Sequence, residues 1–192
     1  MKGSFRSRLH YDWVVYVLVT VFCVGIAYFT FTLYNAPAPT ETLEVFFAGK
    51  VKDRAICDEW LESTKKYGVL TVGLNSAHPS DSAFPTKYSV VAVNGCDIVI
   101  VPESVADQTD CANTFTPITG YENAYTQNGV AYGAMLGAAA KEALEDKLQF
   151  DEDEYFVFIV ASSVNSGGGA LTDNAVKLFD IILNYGKNEA TT

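Results

Sequence analysis

His78 stands two residues before Ser80 and three before Asp81, with Ser76 just upstream. One short stretch thus holds a base, a hydroxyl nucleophile and a carboxylate. Hydrolysis through an activated hydroxyl needs those three types, delivered from separate rigid elements that fix their geometry. Here all fall within one polar turn, residues 75–81, and the expected role is hydrogen bonding inside that turn. Ser166-Gly-Gly-Gly169 precedes a helical pattern, and a Gly-rich loop there can cradle phosphate on backbone N–H groups. Its spacing matches neither a dinucleotide fingerprint nor a P-loop, so a flexible strand-to-helix turn is expected. Asp151-Glu-Asp-Glu154 is four acids in a row. Cation loops alternate ligands with spacers and turn on a glycine, so this run reads as a solvated turn.

The sulfurs have no zinc spacing, and His78 is the only histidine beyond the N-terminal tail. No metal and no cofactor is expected. Cys23 lies in an apolar run, while Cys57, Cys96 and Cys111 follow it. Three is an odd number, so at most one bridge forms among them. Cys57 and Cys111 are expected at one edge of a sheet and Cys96 at the other. A Cys57–Cys111 bridge is one expectation, and three free thiols is the other.

The elements that must position these groups follow from periodicity. Residues 43–48, 69–74, 97–101 and 155–161 are apolar runs closed by Gly, polar or Pro residues, and read as strands. Ile56, Trp60, Thr64 and Tyr67 recur at helical spacing, with Asp53 as candidate N-cap and Gly68 as stop. Residues 82–94 fit a helix that tolerates Pro85 in its first turn. Residues 130–148 are rich in Ala and Leu and predict a helix. Thr172 opens a last amphipathic helix bearing Ala175, Leu178, Ile182 and Tyr185. Near-continuous apolar strands alternating with helices predict an α/β fold: one small, mostly parallel sheet with helices on both faces.

Ligands bind such sheets beyond the carboxyl ends of the strands. The loops expected there are 49–52, 75–81, 103–107 and 162–169. They supply Gly49, Asn75, Ser76, Asp81, Glu103, Ser104 and Asn165 as candidates for binding a ligand or partner. Tyr121, Tyr125 and Tyr132 are available to stack on a sugar.

Charge is divided unevenly. Lys2, Arg6 and Arg8 are unopposed before residue 12, whereas the rest of the chain sets the remaining 10 of its 13 Lys and Arg against all 23 acids. An acidic body excludes nucleic acid as a partner, because phosphate attraction needs clustered Lys and Arg. Residues 13–33 contain no charged side chain, and a run of ~20 apolar residues matches the hydrocarbon core of a bilayer. Basic residues before the run place the N-terminus in the cytoplasm. Ala36-Pro37-Ala38 imitates a signal-peptide cleavage pattern, but the apolar core is too long and Pro39 follows. The expected organisation is a cytoplasmic tail at 1–11, a transmembrane anchor at 12–34, a linker at 35–42, an extracytoplasmic α/β domain at 43–186 and a disordered tail at 187–192.

The segments 43–49 and 69–75, then Asp81-Ser-Ala-Phe-Pro-Thr-Lys87, then Gly95-Cys-Asp-Ile-Val-Ile-Val-Pro-Glu-Ser104, occur in an order that resembles the first lobe of type 2 extracellular solute-binding proteins. These are the sugar-binding components of ABC importers. Gly129-Val-Ala-Tyr-Gly133 resembles the segment where their chain crosses to a second lobe, and residues 155–165 with 172–184 resemble their return strand and helix. The resemblance implies a periplasmic-binding-protein-like lobe and adds Thr86 and Lys87 to the binding candidates. A full binding protein closes two lobes around its solute, and only a short segment here stands in place of the second. The expectation is therefore a non-catalytic, membrane-anchored extracytoplasmic module. Its partners would be ABC-transporter membrane subunits or another envelope protein. The alternative is a receptor for a small polar, sugar-like solute that completes its pocket by dimerising or with a partner. An extracytoplasmic hydrolase is the third reading.

Overall fold

The computed structural model describes residues 4–151, 154–168 and 170–186, with side chains from Trp13 onward. The start of the expected cytoplasmic tail (residues 1–3), Glu152 and Asp153 of the acidic turn, Gly169 and the expected disordered tail 187–192 lie outside the described residues. The chain divides into two compact units, Met1–Ala36 and Pro37–Thr192.

The first unit is one helix, α1 (Ser4–Tyr34). Among the described residues it is the one helix long and apolar enough to cross a membrane, over the 22 residues Trp13–Tyr34. The hydroxyls of Thr20 and Thr32 donate to the carbonyls of Tyr16 and Tyr28, each at 2.8 Å. These polar atoms are therefore satisfied inside the helix, as an apolar surrounding requires. Asn35 closes the helix by donating its side-chain amide to the Phe31 carbonyl at 2.7 Å.

The second unit is built on a six-stranded sheet in the order β3-β1-β4-β8-β6-β5. Three strands are parallel: β1 (Thr42–Phe47) lies between β3 (Thr71–Ser76) and β4 (Ile98–Pro102). The other half is antiparallel. β8 (Tyr155–Ile159) runs against both β4 and β6 (Val130–Met135), and β6 runs against β5 (Ala124–Gln127). The sheet is therefore mixed. A short second ribbon pairs β2 (Lys50–Val51) with β7 (Leu148–Gln149).

β4 and β8 are buried at every position, because helices cover both faces. Leu43, Val45, Phe47, Ile98, Ile100 and Val157 point to one face. There they meet Trp60 of α2 (Ile56–Thr64), Leu144 of α7 (Ala138–Leu144) and Leu178 of α8 (Asn174–Leu183). Phe46, Val99, Val101, Phe156 and Phe158 point to the other face. They are covered by α3 (Phe84–Lys87), a π-helical stretch Tyr88–Ala92 that runs on into α4 (Val93–Gly95), and by α5 (Glu103–Ala106) and α6 (Cys111–Thr114).

Two local expectations need correction. The helix expected over 130–148 is confined to Ala138–Leu144, and Val130–Met135 is a strand. Asn128 and Gly129, with φ of 55° and 80°, form a two-residue hairpin turn that holds Gln127 opposite Val130. Turns of this left-handed kind match strand twist and fix the register, and this overrides the helix propensity of the alanines. The caps also differ. Asp53 accepts the Ala55 N–H at 2.9 Å one turn before the helix, and Asp173 rather than Thr172 precedes α8. Gly68, at φ 85°, does stop the α2 segment after a 3-10 turn.

Gly133 lies opposite Phe158 in the ladder, and a β-carbon there would sit 2.5 Å from the ring's Cε1. Phe158 cannot retreat, because Phe115 stacks on it with ring centroids 4.4 Å apart. Gly133→Ala is expected to destabilise by about 1–3 kcal/mol, as overpacking of a filled core does. Thermal unfolding of the full chain in detergent, followed by circular dichroism, reads this directly.

Candidate functional site

Polar side chains gather at the two edges of the sheet, and the direction of each strand decides which edge receives which loop. At the amino edge, where β1, β3 and β4 begin, Asp97 is 8% exposed. Its carboxylate accepts the Glu44 N–H at 2.7 Å, the Asn165 amide at 3.0 Å and the Ser163 hydroxyl in a short bond. Asn165 is 1% exposed. Its amide also donates to the carbonyls of Pro39 and Thr42, at 3.2 and 3.1 Å, and its own carbonyl accepts the Thr172 hydroxyl at 2.6 Å. Asn174 donates to the Thr40 carbonyl at 3.1 Å. This node fastens the entry segment 39–42 to the loop after β8.

Asn165 was expected beside Gly49, Asn75 and Glu103, at the carboxyl edge. β8 is antiparallel to β4, so the loop that follows it emerges at the opposite edge. Every polar atom of the Asn165 side chain is engaged within the protein, and its position is that of a structural tie. Asp97, Ser163 and Glu44 were not singled out from sequence. The available signal was a lone acid opening an otherwise wholly apolar strand.

Next to Asp97, the Glu44 side chain lies over Gly73, where a β-carbon would overlap its carboxylate, and accepts the Asn75 amide at 3.0 Å. Burial and then the Asp97 charge hold the Glu44 carboxyl above its ordinary value, and the Asn75 bond opposes them.

The carboxyl edge gathers most of the remaining candidates in two clefts. Gly49, Ser76 and Asp81 line one with Lys50 and His78. Asn75, Ser76 and Lys87 line a smaller one with Phe46 and Val91. Thr86 is exposed on α3, where its carbonyl accepts the Ser89 hydroxyl at 3.2 Å. Glu103 and Ser104 open α5, with the Glu103 N–H bonded to the Glu154 carbonyl at 2.9 Å.

His78 has a partner that sequence reasoning did not supply. Its Nδ1 is 2.7 Å from the Ser80 hydroxyl and 3.2 Å from the Ser80 backbone nitrogen, and its Nε2 lies 3.3 Å from the Asp151 carboxylate. Asp81 instead accepts the His78 backbone N–H. The histidine and Asp151 side chains are 37% and 40% exposed. An exposed pair of this kind contributes little to stability. A separate cleft of about 450 Å³ between α2, α7 and α8 contains Glu59, Lys147 and Tyr185. These three bond one another, with Lys147 2.7 Å from Glu59.

All four cysteines are free. Cys57 packs on the Trp60 face of the sheet and Cys111 on the Phe158 face, so the sheet itself separates the two sulfurs once expected to bridge. Burial pushes the Cys96 thiol up to about 12 and the Cys111 thiol up to about 11. The tyrosines are committed to packing. Tyr121 meets Phe179 edge-on and donates to Asp180, whereas Tyr125 and Tyr132 are buried on the opposite face. Tyr125 donates to Asp107 at 2.8 Å.

No protein-family model matches the chain, and no curated protein matches it significantly.

Two outcomes follow from the amino-edge node. Asn165→Ala leaves buried carbonyls and the Thr172 hydroxyl without their partner, and is expected to cost about 2–4 kcal/mol in urea unfolding of the full chain in detergent. Because Glu44 binds its proton more tightly when folded than at the unfolded value of 4.5, its contribution is fully present below that value. It is lost as pH rises through the folded value. Glu44→Gln should therefore raise the unfolding midpoint at pH 7 and flatten the decline in stability above pH 4.5.

Proposed function

We propose that the chain is a non-catalytic interaction module anchored in the cell membrane by α1, with its α/β domain outside the cytoplasm. It docks on the membrane subunits of an ABC transporter or on another envelope protein. The observation that carries this reading is the 22-residue apolar stretch Trp13–Tyr34, long enough to cross a membrane. A helix apolar on every side needs lipid or protein around it. Lys2, Arg6 and Arg8 precede the stretch, which orients the N-terminus inward.

The position of β8 supports the likeness to a solute-binding lobe. After β4 the chain crosses to the far edge of the sheet, forms the β5–β6 hairpin there, and returns through residues 155–159 between β4 and β6. That is where a returning strand belongs if the excursion once held a second lobe. The interaction reading also fits the polar groups, which are either bonded to one another or spread along open clefts. A solute pocket, by contrast, encloses most of its ligand.

Crosslinking of the full chain in its native membrane, followed by mass spectrometry, tests this. Transporter membrane subunits or a single envelope protein among the captured peptides support it. Self-crosslinks alone would shift the reading to the dimeric solute receptor. Recovery of the chain in the soluble fraction would remove the anchor.

A further inference from the structure

Two carboxylates share the amino edge of the sheet with no base to oppose them. The Asp97 N–H donates to the Glu44 carbonyl at 2.7 Å, and the Glu44 N–H donates to the Asp97 carboxylate at 2.7 Å. Both side chains line a cavity of about 240 Å³ with Pro39, Thr42, Cys96 and Ser163. No Lys or Arg lines it, and among the described residues neither carboxylate has an ion-pair partner. The groups around Glu44 come from several elements. β3 brings the Asn75 amide, at 3.0 Å, and the space above Gly73. The start of β4 brings Asp97 and the Cys96 thiol. α4 brings Asn94 and Gly95, and the loop after β8 brings Ser162, Ser163 and Val164, all uncharged. The entry segment brings a third acid, Glu41, whose carboxylate accepts the Ala38 N–H at 2.9 Å. The Glu44 charge also reaches Cys57 of α2, and Arg54 acts on that thiol but is not among the groups acting on Glu44.

What this pair holds in place is the entry segment. Residues 39–41 form a 3-10 turn outside the ladder. Asn165, bonded to Asp97, donates to the carbonyls of Pro39 and Thr42, Asn174 donates to that of Thr40, and the Leu70 N–H donates to that of Glu41. Two like charges side by side in a half-buried site repel each other. The repulsion falls when one takes a proton, which leaves the edge closed. It also falls when more water reaches both, which needs the cavity wall at Pro39, Thr42 and Ser163 to withdraw. Burial and the Asp97 charge hold Glu44 above its ordinary value of 4.5, so the closed edge binds the proton more tightly than an open one. Below 4.5 the proton is present in both forms and closure is strongest. Closure weakens as pH rises through the higher, closed value.

We propose that Glu44 and Asp97 form a proton-operated latch: proton uptake at Glu44 fastens residues 39–42 and the loop 162–165 to the sheet, and proton loss loosens them. The latch does not depend on the membrane reading. Its place in the chain gives it a consequence, because residues 35–41 are the whole covalent connection between α1 and β1. With the latch closed, the unattached part of that connection ends before Pro39. With the latch open, it runs on to Glu41. Acidity thus sets how much loose chain joins the two units.

Amide hydrogen exchange of the full chain in detergent, resolved by residue with NMR at about pH 5 and about pH 7.5, tests this. Protection, corrected for the intrinsic exchange rate at each pH, is compared between two sets of amides. The edge set is Glu41, Asn165 and Thr172, bonded to Ala38, the Ser163 hydroxyl and Val164. The core set is Ile100 and Val157, paired in the middle of the sheet. The expected result is edge protection below core protection at both pH values, falling roughly three- to tenfold at the higher one. In Glu44→Gln the edge amides should keep the same protection at both. Edge protection that does not change with pH overturns the latch. An equal fall in Glu44→Gln overturns it by assigning the proton to another group. Edge amides as strongly protected as the core overturn it too, because the edge then opens only when the whole domain unfolds.

Discussion

A buried carboxylate must be fully bonded or it destabilises the fold that holds it. Asp97 meets that constraint with three donors from two parts of the chain: the β1 backbone at Glu44, and Ser163 and Asn165 in the loop after β8. Meeting it fixes where β1 and β4 start, where the loop after β8 turns, and through Asn165 where the entry segment 39–42 lies. The parallel half of the sheet and the returning strand are thus joined twice, once by the ladder between β4 and β8 and once by this node. The second carboxylate, Glu44, sits close enough to be disturbed by the first, and Gly73 provides the room it occupies.

The two faces of the sheet are filled in different ways. One is mainly aliphatic, with Leu, Ile and Val from the strands around Trp60 and a smaller aromatic group of Phe47, Phe150 and Tyr155. The other is strongly aromatic, with Phe46, Phe84 and Tyr88 in one group and Phe115, Tyr125, Phe156 and Phe158 in another. Aromatic groups of this size pack only where the strand opposite yields space, which explains Gly133 beneath the Phe158 ring.

The parallel half was legible from sequence because strands covered on both faces are apolar without interruption: residues 43–48 and 97–101 say so plainly, and Gly68 marks the end of the intervening helix. The hairpin is written in Asn128-Gly129, a strong turn signal, but the alanines that follow carry a competing helical one. The direction of β8 was invisible, since a fully buried strand has the same apolar pattern whichever way it runs. That one unknown moved Asn165 from a proposed binding edge to the opposite one, and it also misplaced the functional meaning of the Ser/Gly loop. The separation of Cys57 from Cys111 was likewise out of reach. Helix order gives the edge on which a residue lies, but only side-chain phase and packing give the face.

β8 occupies the middle of the sheet yet is made of residues 155–159. During synthesis the β3-β1-β4 segment and the β5–β6 hairpin are complete well before the strand that joins them exists. Neither part can bury its inner edge alone, and the pairing of Ile98 with Ile159 closes a loop of some sixty residues. Contacts so distant along the chain form late and slowly. The domain therefore stays open and unlocked until nearly all of it has been synthesised, and the strand made last is the one that locks it.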